Sequence, residues 1–192
     1  MKSIWLSTLI GILSIALLTG PAFALTAEGW FDKGNRHSRQ GQWEEAVKAY
    51  EKSIENNPSA TVAHINLGLS YKKLKDYDKA KQSFKKAVEL EPYNMEARFN
   101  LGNVYNFLEQ WENAIAQLNI VVHRNKDDAQ AHGNLGWAYF NYRKGTPFKL
   151  LTVLNLQRAV SLFEEQNMTL AAESTRTILK QAMEKYKPET IE

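Results

Sequence analysis

Four histidines, His37, His64, His123 and His132, are the side chains best suited to proton transfer or metal ligation, and the chain has no cysteine to join them. No two of them stand four residues apart, and no HExxH, glycine-rich phosphate loop or G-x-S-x-G elbow accompanies them. The acid pairs are no better placed for general acid–base work. Glu44–Glu45 opens a helical stretch, where negative charge suits the helix dipole, and Glu164–Glu165 closes one in solvent. Asn167-Met168-Thr169 has the form of a glycosylation acceptor, but a turn and helix start accounts for it. No catalytic set, metal site or cofactor site emerges, so an enzyme using the rest of the chain as a frame is the least favoured functional class.

What recurs at fixed spacing is an amide. Asn66, Asn100 and Asn134 each stand 34 residues from the next, and each opens a near-copy of one block: NLGLSY, NLGNVY and NLGWAY. A primary amide offers donors and acceptors together. It can pair with the backbone of an extended peptide, or it can tie one helix to another. The elements that hold it must decide.

Those elements repeat as well. In blocks of 34 residues from Ala27, the eighth residue is Gly34, Gly68, Gly102 and Gly136, and the eleventh is His37, Tyr71, Tyr105 and Tyr139. The seventh is Lys33, Leu67, Leu101 and Leu135; later come Ala46, Ala80 and Ala114, then Tyr50, Phe84 and Leu118. Each block holds two stretches of helical apolar spacing, such as Ala63, Leu67, Tyr71 and Leu74, then Ala80, Phe84, Ala87 and Leu90. Polar turns such as LKDY join them, and Pro58 and Pro92 end the second helices of the first two blocks. A glycine inside a helix costs about 1 kcal/mol relative to alanine, so four in register imply a close approach, expected here against Ala46, Ala80 and Ala114. Trp43, Tyr77 and Trp111 open the second helices with a ring able to wedge between pairs.

This pattern resembles the tetratricopeptide repeat, whose W-x2-L-G-x2-Y, A-x3-F and closing-proline motif it follows from Ala27 to about Glu164. The resemblance implies an all-α fold, a right-handed α-solenoid of stacked helix–turn–helix pairs with a C-terminal capping helix. The expected repeats are 27–60, 61–94, 95–128 and a divergent fourth over 129–166, followed by a cap over 167–187 and a tail over 188–192. In the fourth, Ala159 stands four residues later than the period requires, which points to an enlarged turn around Gly145 and Pro147. The capping helix carries Leu170, Ile178, Ala182, Met183 and Tyr186 on one face.

In such a stack the first helices line a concave surface, and slots two, five, six, nine, twelve and thirteen of each block point into it. The candidate partner-binding residues read from those slots are Phe31 and Asn35, then Asn66, Leu69, Lys72 and Lys73. Phe99, Asn100, Asn103 and Phe107 follow, then Asn134, Trp137 and Phe140. Amides and aromatic rings alternate there with few charges, and buried rings dominate interface energetics. His64 and His132 share the fourth slot with Trp30, a packing position. The resemblance also allows one subclass to be tested, the repeat domains that clamp chaperone C-terminal carboxylates with two Asn and three cations. Asn35 and Asn66 match its amides, but Phe31, Glu96 and Asn100 stand where the cations belong, so that clamp is absent.

With 44% apolar and 23% charged residues, the chain is of ordinary globular composition. Residues 1–24 stand apart from it. Lys2 precedes an almost uninterrupted apolar run, Ile4 to Leu18, and Ala22-Phe23-Ala24 provides the small residues of a signal-peptidase site. Export, to a periplasm, is the expectation, with cleavage after Ala24; an anchor formed by residues 4–20 is the alternative. Lys2 is the only charged residue removed with that segment, so the remainder keeps a net charge of +2 against +3 for the whole. That balance is too small and too mixed for nucleic acid. The expected partner is a protein or peptide bound in the groove of a non-catalytic adaptor that helps assemble an envelope complex. A self-assembling scaffold is the alternative, and membrane contact is expected only if the N-terminal segment is retained.

Overall fold

The computed structural model describes residues 25–142 and 148–186. The segment read as a signal peptide, the turn around Gly145 and Pro147 and the C-terminal tail lie outside these residues. Within them the chain is all helical. The helices are α1 (Ala27–Arg39), α2 (Trp43–Asn56), α3 (Thr61–Lys73), α4 (Tyr77–Leu90) and α5 (Met95–Phe107). They continue with α6 (Trp111–Arg124), α7 (Ala129–Asn141), α8 (Lys149–Glu165) and α9 (Thr169–Lys185). The closest neighbours are α1 with α2, α3 with α4, α5 with α6 and α7 with α8, and each pair packs on the next to make a solenoid.

Local chemistry starts and stops these helices at repeating positions. Thr26, Asp76, Asn94 and Asp128 each accept a backbone N–H three residues on, satisfying a donor that the first turn leaves open. Gly41, Lys75 and Glu109 take left-handed backbone angles, with φ of 73°, 61° and 55°. The N–H that follows each one reaches back to the carbonyl of His37, Tyr71 or Tyr105, closing a tight helix-ending turn. Two of these three left-handed positions are not glycine, because hydrogen bonds on both sides hold the turn.

The glycines of the eighth slot meet rings and branched chains, not alanines. A Cβ on Gly34 would lie 2.6 Å from Tyr50, on Gly68 2.8 Å from Phe84, on Gly102 2.7 Å from Leu118, and on Gly136 2.7 Å from Leu156. The expected approach against Ala46, Ala80 and Ala114 is therefore corrected. Those alanines are fully buried four residues earlier, and the large residue of the A-x3-F motif occupies the space above each glycine. Ring stacking adds to the contact between pairs: Tyr77 at the start of α4 lies flat on Phe107 of α5, centroids 4.7 Å apart.

The fourth pair keeps this contact despite its longer turn. Leu156 stands four residues beyond the strict period and still fills the place over Gly136, while Thr152 takes the buried alanine slot. A left-handed Asn167 (φ 58°) then turns the chain into α9, which packs on α8. The apolar face expected of α9 is corrected in part. Ala172, Thr175 and Ala182 are the buried residues, whereas Leu170 is 84% and Met183 52% exposed. Small side chains let α9 close on Ala159, Leu162 and Phe163 of α8, and the larger ones are turned outward.

Gly68→Ala should destabilise the chain by about 1–3 kcal/mol in chemical denaturation, because the new methyl overlaps the Phe84 ring. Gly133→Ala, with 3.7 Å to the nearest side chain, should change stability little. Adding Phe84→Leu to Gly68→Ala should cost less than the two single changes summed; strict additivity would mean that the ring does not set the glycine requirement.

Candidate functional site

Successive first helices touch, α3 with α5 and α5 with α7, while second helices of successive pairs make no comparable contact among the described residues. The stack therefore curves with α1, α3, α5 and α7 on its inner side. Along that side the amides are engaged with one another. Asn35 Oδ1 accepts from the Tyr50 hydroxyl at 2.8 Å and from Asn66 Nδ2 at 3.1 Å. Lys72 Nζ donates to Asn100 Oδ1 at 3.1 Å, and Asn100 Nδ2 donates to the Glu96 carbonyl at 3.0 Å. Asn103 Nδ2 lies 3.5 Å from Asn134 Oδ1, and Asn106 Nδ2 donates to the Asn134 carbonyl at 2.9 Å. The amides thus link first helix to first helix. Asn100, 6% exposed, belongs to the floor and has little surface left for a ligand.

Two hollows open on this floor. The smaller, about 290 Å³, lies between α1 and α3 and is lined by Asn35, Ser38, Arg39, Tyr50, Asn66 and Leu69. The larger, about 350 Å³, is bounded by Lys72 of α3, Phe99 and Asn103 of α5, and Gln130, Gly133, Asn134 and Trp137 of α7. Its far wall is Phe163 of α8 with Thr175 and Ile178 of α9. Among the described residues, no carboxylate lines either hollow.

The sequence-derived candidates therefore divide. Asn35, Asn66, Leu69, Lys72, Phe99, Asn103, Asn134 and Trp137 line one hollow or the other. Phe31 is half-buried against Tyr50, with ring centroids 5.8 Å apart. Lys73 and Phe107 are corrected: both sit in slot thirteen and cover the ring that opens the preceding second helix, Lys73 over Trp43 at 5.8 Å and Phe107 on Tyr77. Phe140 is half-buried beside Trp137, ring centroids 6.0 Å apart, and near Tyr186, with the Lys185 ammonium 4.4 Å from its ring centre. Phe163, Thr175 and Ile178 were not foreseen. Carrying the four-residue shift of the fourth block into a fifth puts Thr175 and Ile178 in slots nine and twelve, so the signal was present in the register.

Three of the four histidines, His37, His64 and His132, have structural partners. His64 Nε2 bonds the Pro58 carbonyl at 2.9 Å, and His132 Nε2 the Lys126 carbonyl at 3.1 Å. Arg98 makes the same link six residues back, from Nε to the Pro92 carbonyl at 2.6 Å. Slot four thus pins each first helix to the turn before it. His37 Nδ1 bonds Gln42 within its own turn. Among the described residues, no three His, Asp or Glu side chains converge as a metal site would require.

Three family models fall on this architecture: a TPR repeat model on residues 34–75, and tetratricopeptide repeat models on residues 61–94 and 83–116. The chain is a tetratricopeptide-repeat protein. Among solved structures, it is similar to MamA 41-end from Desulfovibrio magneticus RS-1, at 22% identity and TM-score 0.68, over 85% of this chain and 96% of that one. It also resembles YrrB, described as a TPR protein with an unusual peptide-binding site, at 24% identity and TM-score 0.64, over 83% and 84% of the two chains. The first TPR of Spaghetti (RPAP3), solved with the HSP90 peptide SRMEEVD, matches at 25% identity and TM-score 0.57, over 59% of this chain and 90% of that one. No match was found among curated proteins. At these identities the solved structures establish the shared fold.

Burial shifts the titration of several groups. It lowers the pKa of Lys72, and the neighbouring Lys73 adds to that. It raises the phenols of Tyr50, Tyr71 and Tyr105, and Tyr71 is raised further by donating to Glu51 Oε1 at 2.6 Å. Raised tyrosines contribute stability that is fully present below about pH 10, the unfolded value, and is lost as pH rises through the folded values. Lys72 acts in the opposite sense, since its destabilising charge is relieved as pH rises past its lowered value. Urea unfolding should therefore show lower stability at about pH 11 than at pH 8, the three phenols outweighing one amine. Tyr71→Phe should cost about 1 kcal/mol at pH 8 and shrink the alkaline loss; an unchanged alkaline loss would exclude the Tyr71 phenol as a cause.

Proposed function

We propose that this chain is a non-catalytic adaptor, exported under the direction of its N-terminal segment, that seats an extended segment or helix of a partner protein in the concave groove. In that role it helps assemble or stabilise a complex of the cell envelope. One observation carries this more than any other. Among the described residues, the larger hollow has an ammonium at one end without an ion-pair partner, half-buried aromatic rings at the other, and no carboxylate in its lining. Holding Lys72 in that place is costly to the fold and only partly offset. Burial penalises its charge, and its bond to Asn100 only satisfies an amide. Phe99 and Trp137 likewise remain partly open to the hollow, although Phe99 also packs on the core.

The partner this favours carries a carboxylate for Lys72 beside one bulky apolar side chain for the space between Phe99 and Trp137. Support for a peptide comes from the similar folds: YrrB is described with a peptide-binding site, and the RPAP3 repeat holds a peptide ending in acidic and apolar residues. Phe31, Glu96 and Asn100 leave no cation cluster here, so affinity rests on one lysine and the rings. The bonds of His64 and His132 to turn carbonyls favour a structural role for these two, and with it a non-catalytic role for the chain.

Trp137→Ala and Phe99→Ala should each lower recovery of the partner in affinity capture from solubilised envelope, by about 30-fold in affinity where the ring is a hot spot. Stability should fall much less than for a core change, and unaltered capture by both variants would remove the groove from the binding role. Lys72→Met should weaken the same partner while changing stability by no more than about 1 kcal/mol, since relief of the buried charge offsets the donor that Asn100 loses. A second expectation concerns export: N-terminal sequencing of protein recovered outside the cytoplasm should begin at Leu25, and a start at Met1 in a membrane fraction would instead mark an anchor.

A further inference from the structure

The outward face of α8 departs from that of every other second helix. Slots 18, 19 and 22 hold Glu44, Glu45 and Lys48 on α2, Asp78, Lys79 and Gln82 on α4, and Glu112, Asn113 and Ala116 on α6. All nine residues are exposed. With the four-residue shift fixed by Leu156 over Gly136, the same slots on α8 are Leu150, Leu151 and Leu154. They are 69%, 39% and 49% exposed, and Phe148 beside them is 37% exposed. Placing leucine at all three of these slots, where six of the nine equivalents are charged and none is a large apolar residue, is costly for solubility. Isolated surface leucines need no explanation, but a contiguous patch at mostly polar positions does.

The charge around the patch is as distinctive as its apolarity. From Ala129 to Phe163 the sequence contains no Asp or Glu. The first turns of α2, α4 and α6 carry acids, whereas that of α8 has none and begins with Lys149, which makes no ion pair among the described residues and lies 5.8 Å from the centre of the Tyr186 ring. Arg158, two turns along, pairs with Asp127 at 2.6 Å, and Glu164 and Glu165 lie at the far end of the helix. The leucines thus sit at a basic helix start. Their exposed area is on the order of a few hundred Å², against the roughly 800 Å² per partner of a standard protein interface. So small an apolar patch with an adjoining cation is too little for a stable dimer, yet enough for shallow insertion into a bilayer surface bearing anionic headgroups.

We infer that the start of α8 is a peripheral membrane contact, in which Leu150, Leu151 and Leu154 enter the headgroup region of an anionic bilayer beside Lys149. No helix among the described residues is long and apolar enough to cross a membrane, so this contact lies on the surface. It leaves the concave groove, on the other side of the stack, open to a partner. It also does not depend on residues 1–24.

The absence of cysteine in the chain makes a local test direct. In the full chain, Leu154→Cys carries a polarity-sensitive NBD label, and Gln82→Cys, the same slot on α4, serves as control. Each is mixed with vesicles of phosphatidylcholine alone, or of about two parts phosphatidylcholine to one part phosphatidylglycerol. The label at 154 should shift to the blue and be quenched by brominated lipid on the anionic vesicles, more weakly on the neutral ones, with loss at high salt; the label at 82 should stay unchanged. Adding Leu150→Ser and Leu151→Ser should weaken the response on the order of tenfold with circular dichroism unchanged. An unshifted label at 154, or equal shifts at 154 and 82, overturns the contact. So does a shift without vesicles that grows with protein concentration, since a second copy would then be covering the leucines.

Discussion

A Cβ at Gly34, Gly68, Gly102 or Gly136 would fall within 2.8 Å of the side chain above it, and the rest of the structure follows from leaving that atom out. The space is filled by Tyr50, Phe84, Leu118 and Leu156, so the constraint is on the contact and not on the chemistry of the filler. Each such contact draws a second helix onto its first and buries the alanine or Thr152 one turn earlier. That closeness sets the angle at which the next pair can stack. It explains why the fourth pair can begin α8 four residues late and still join the solenoid: Leu156 finds the glycine, and the surplus stays in the turn.

Bringing the first helices together along the inner side has a second consequence. Their polar side chains meet, and a buried amide without a partner is costly. Asn35 with Asn66, Asn100 with Lys72, and Asn103 with Asn134 satisfy one another across neighbouring helices. The amide row that repeats every 34 residues is in this way part of the frame. A floor tied in this way is stiff, although the buried Asn106 Oδ1 has no partner among the described residues. Binding energy must come mainly from the rings of Phe99 and Trp137, with the Lys72 ammonium free to donate beyond its bond to Asn100.

Much of this was legible in the sequence because the period is sterically enforced. Glycine in slot eight, leucine in slot seven and tyrosine in slot eleven each report a contact that no other residue type fills as well. Slot thirteen was misread because a helical wheel places it at the groove's edge, whereas the rings of Trp43 and Tyr77 in the preceding pair draw Lys73 and Phe107 over the turn. The burial of α9 was misread for a different reason. Apolar size suggests which face is inward, but close helix packing selects small residues, so Ala172, Thr175 and Ala182 went in while Leu170 and Met183 stayed out. Only counting through the insertion in the fourth block would have brought Thr175 and Ile178 to the groove.

The position of α9 gives it two roles that are physically inseparable. It covers Ala159, Leu162 and Phe163, which would otherwise end the stack as exposed apolar surface. Through Thr175 and Ile178 it also closes the larger hollow, whose other walls come from four earlier helices, α3, α5, α7 and α8. A terminal helix that only capped the core would need no particular residue at those two slots. Here the cap borders the site, so the hollow takes its shape from the end of the solenoid as much as from its repeats. The concave surface is accordingly asymmetric: a polar hollow between α1 and α3, and an aromatic one at the closed end. A bound segment would therefore meet different chemistry at its two ends, and the repeated frame would hold it in one direction.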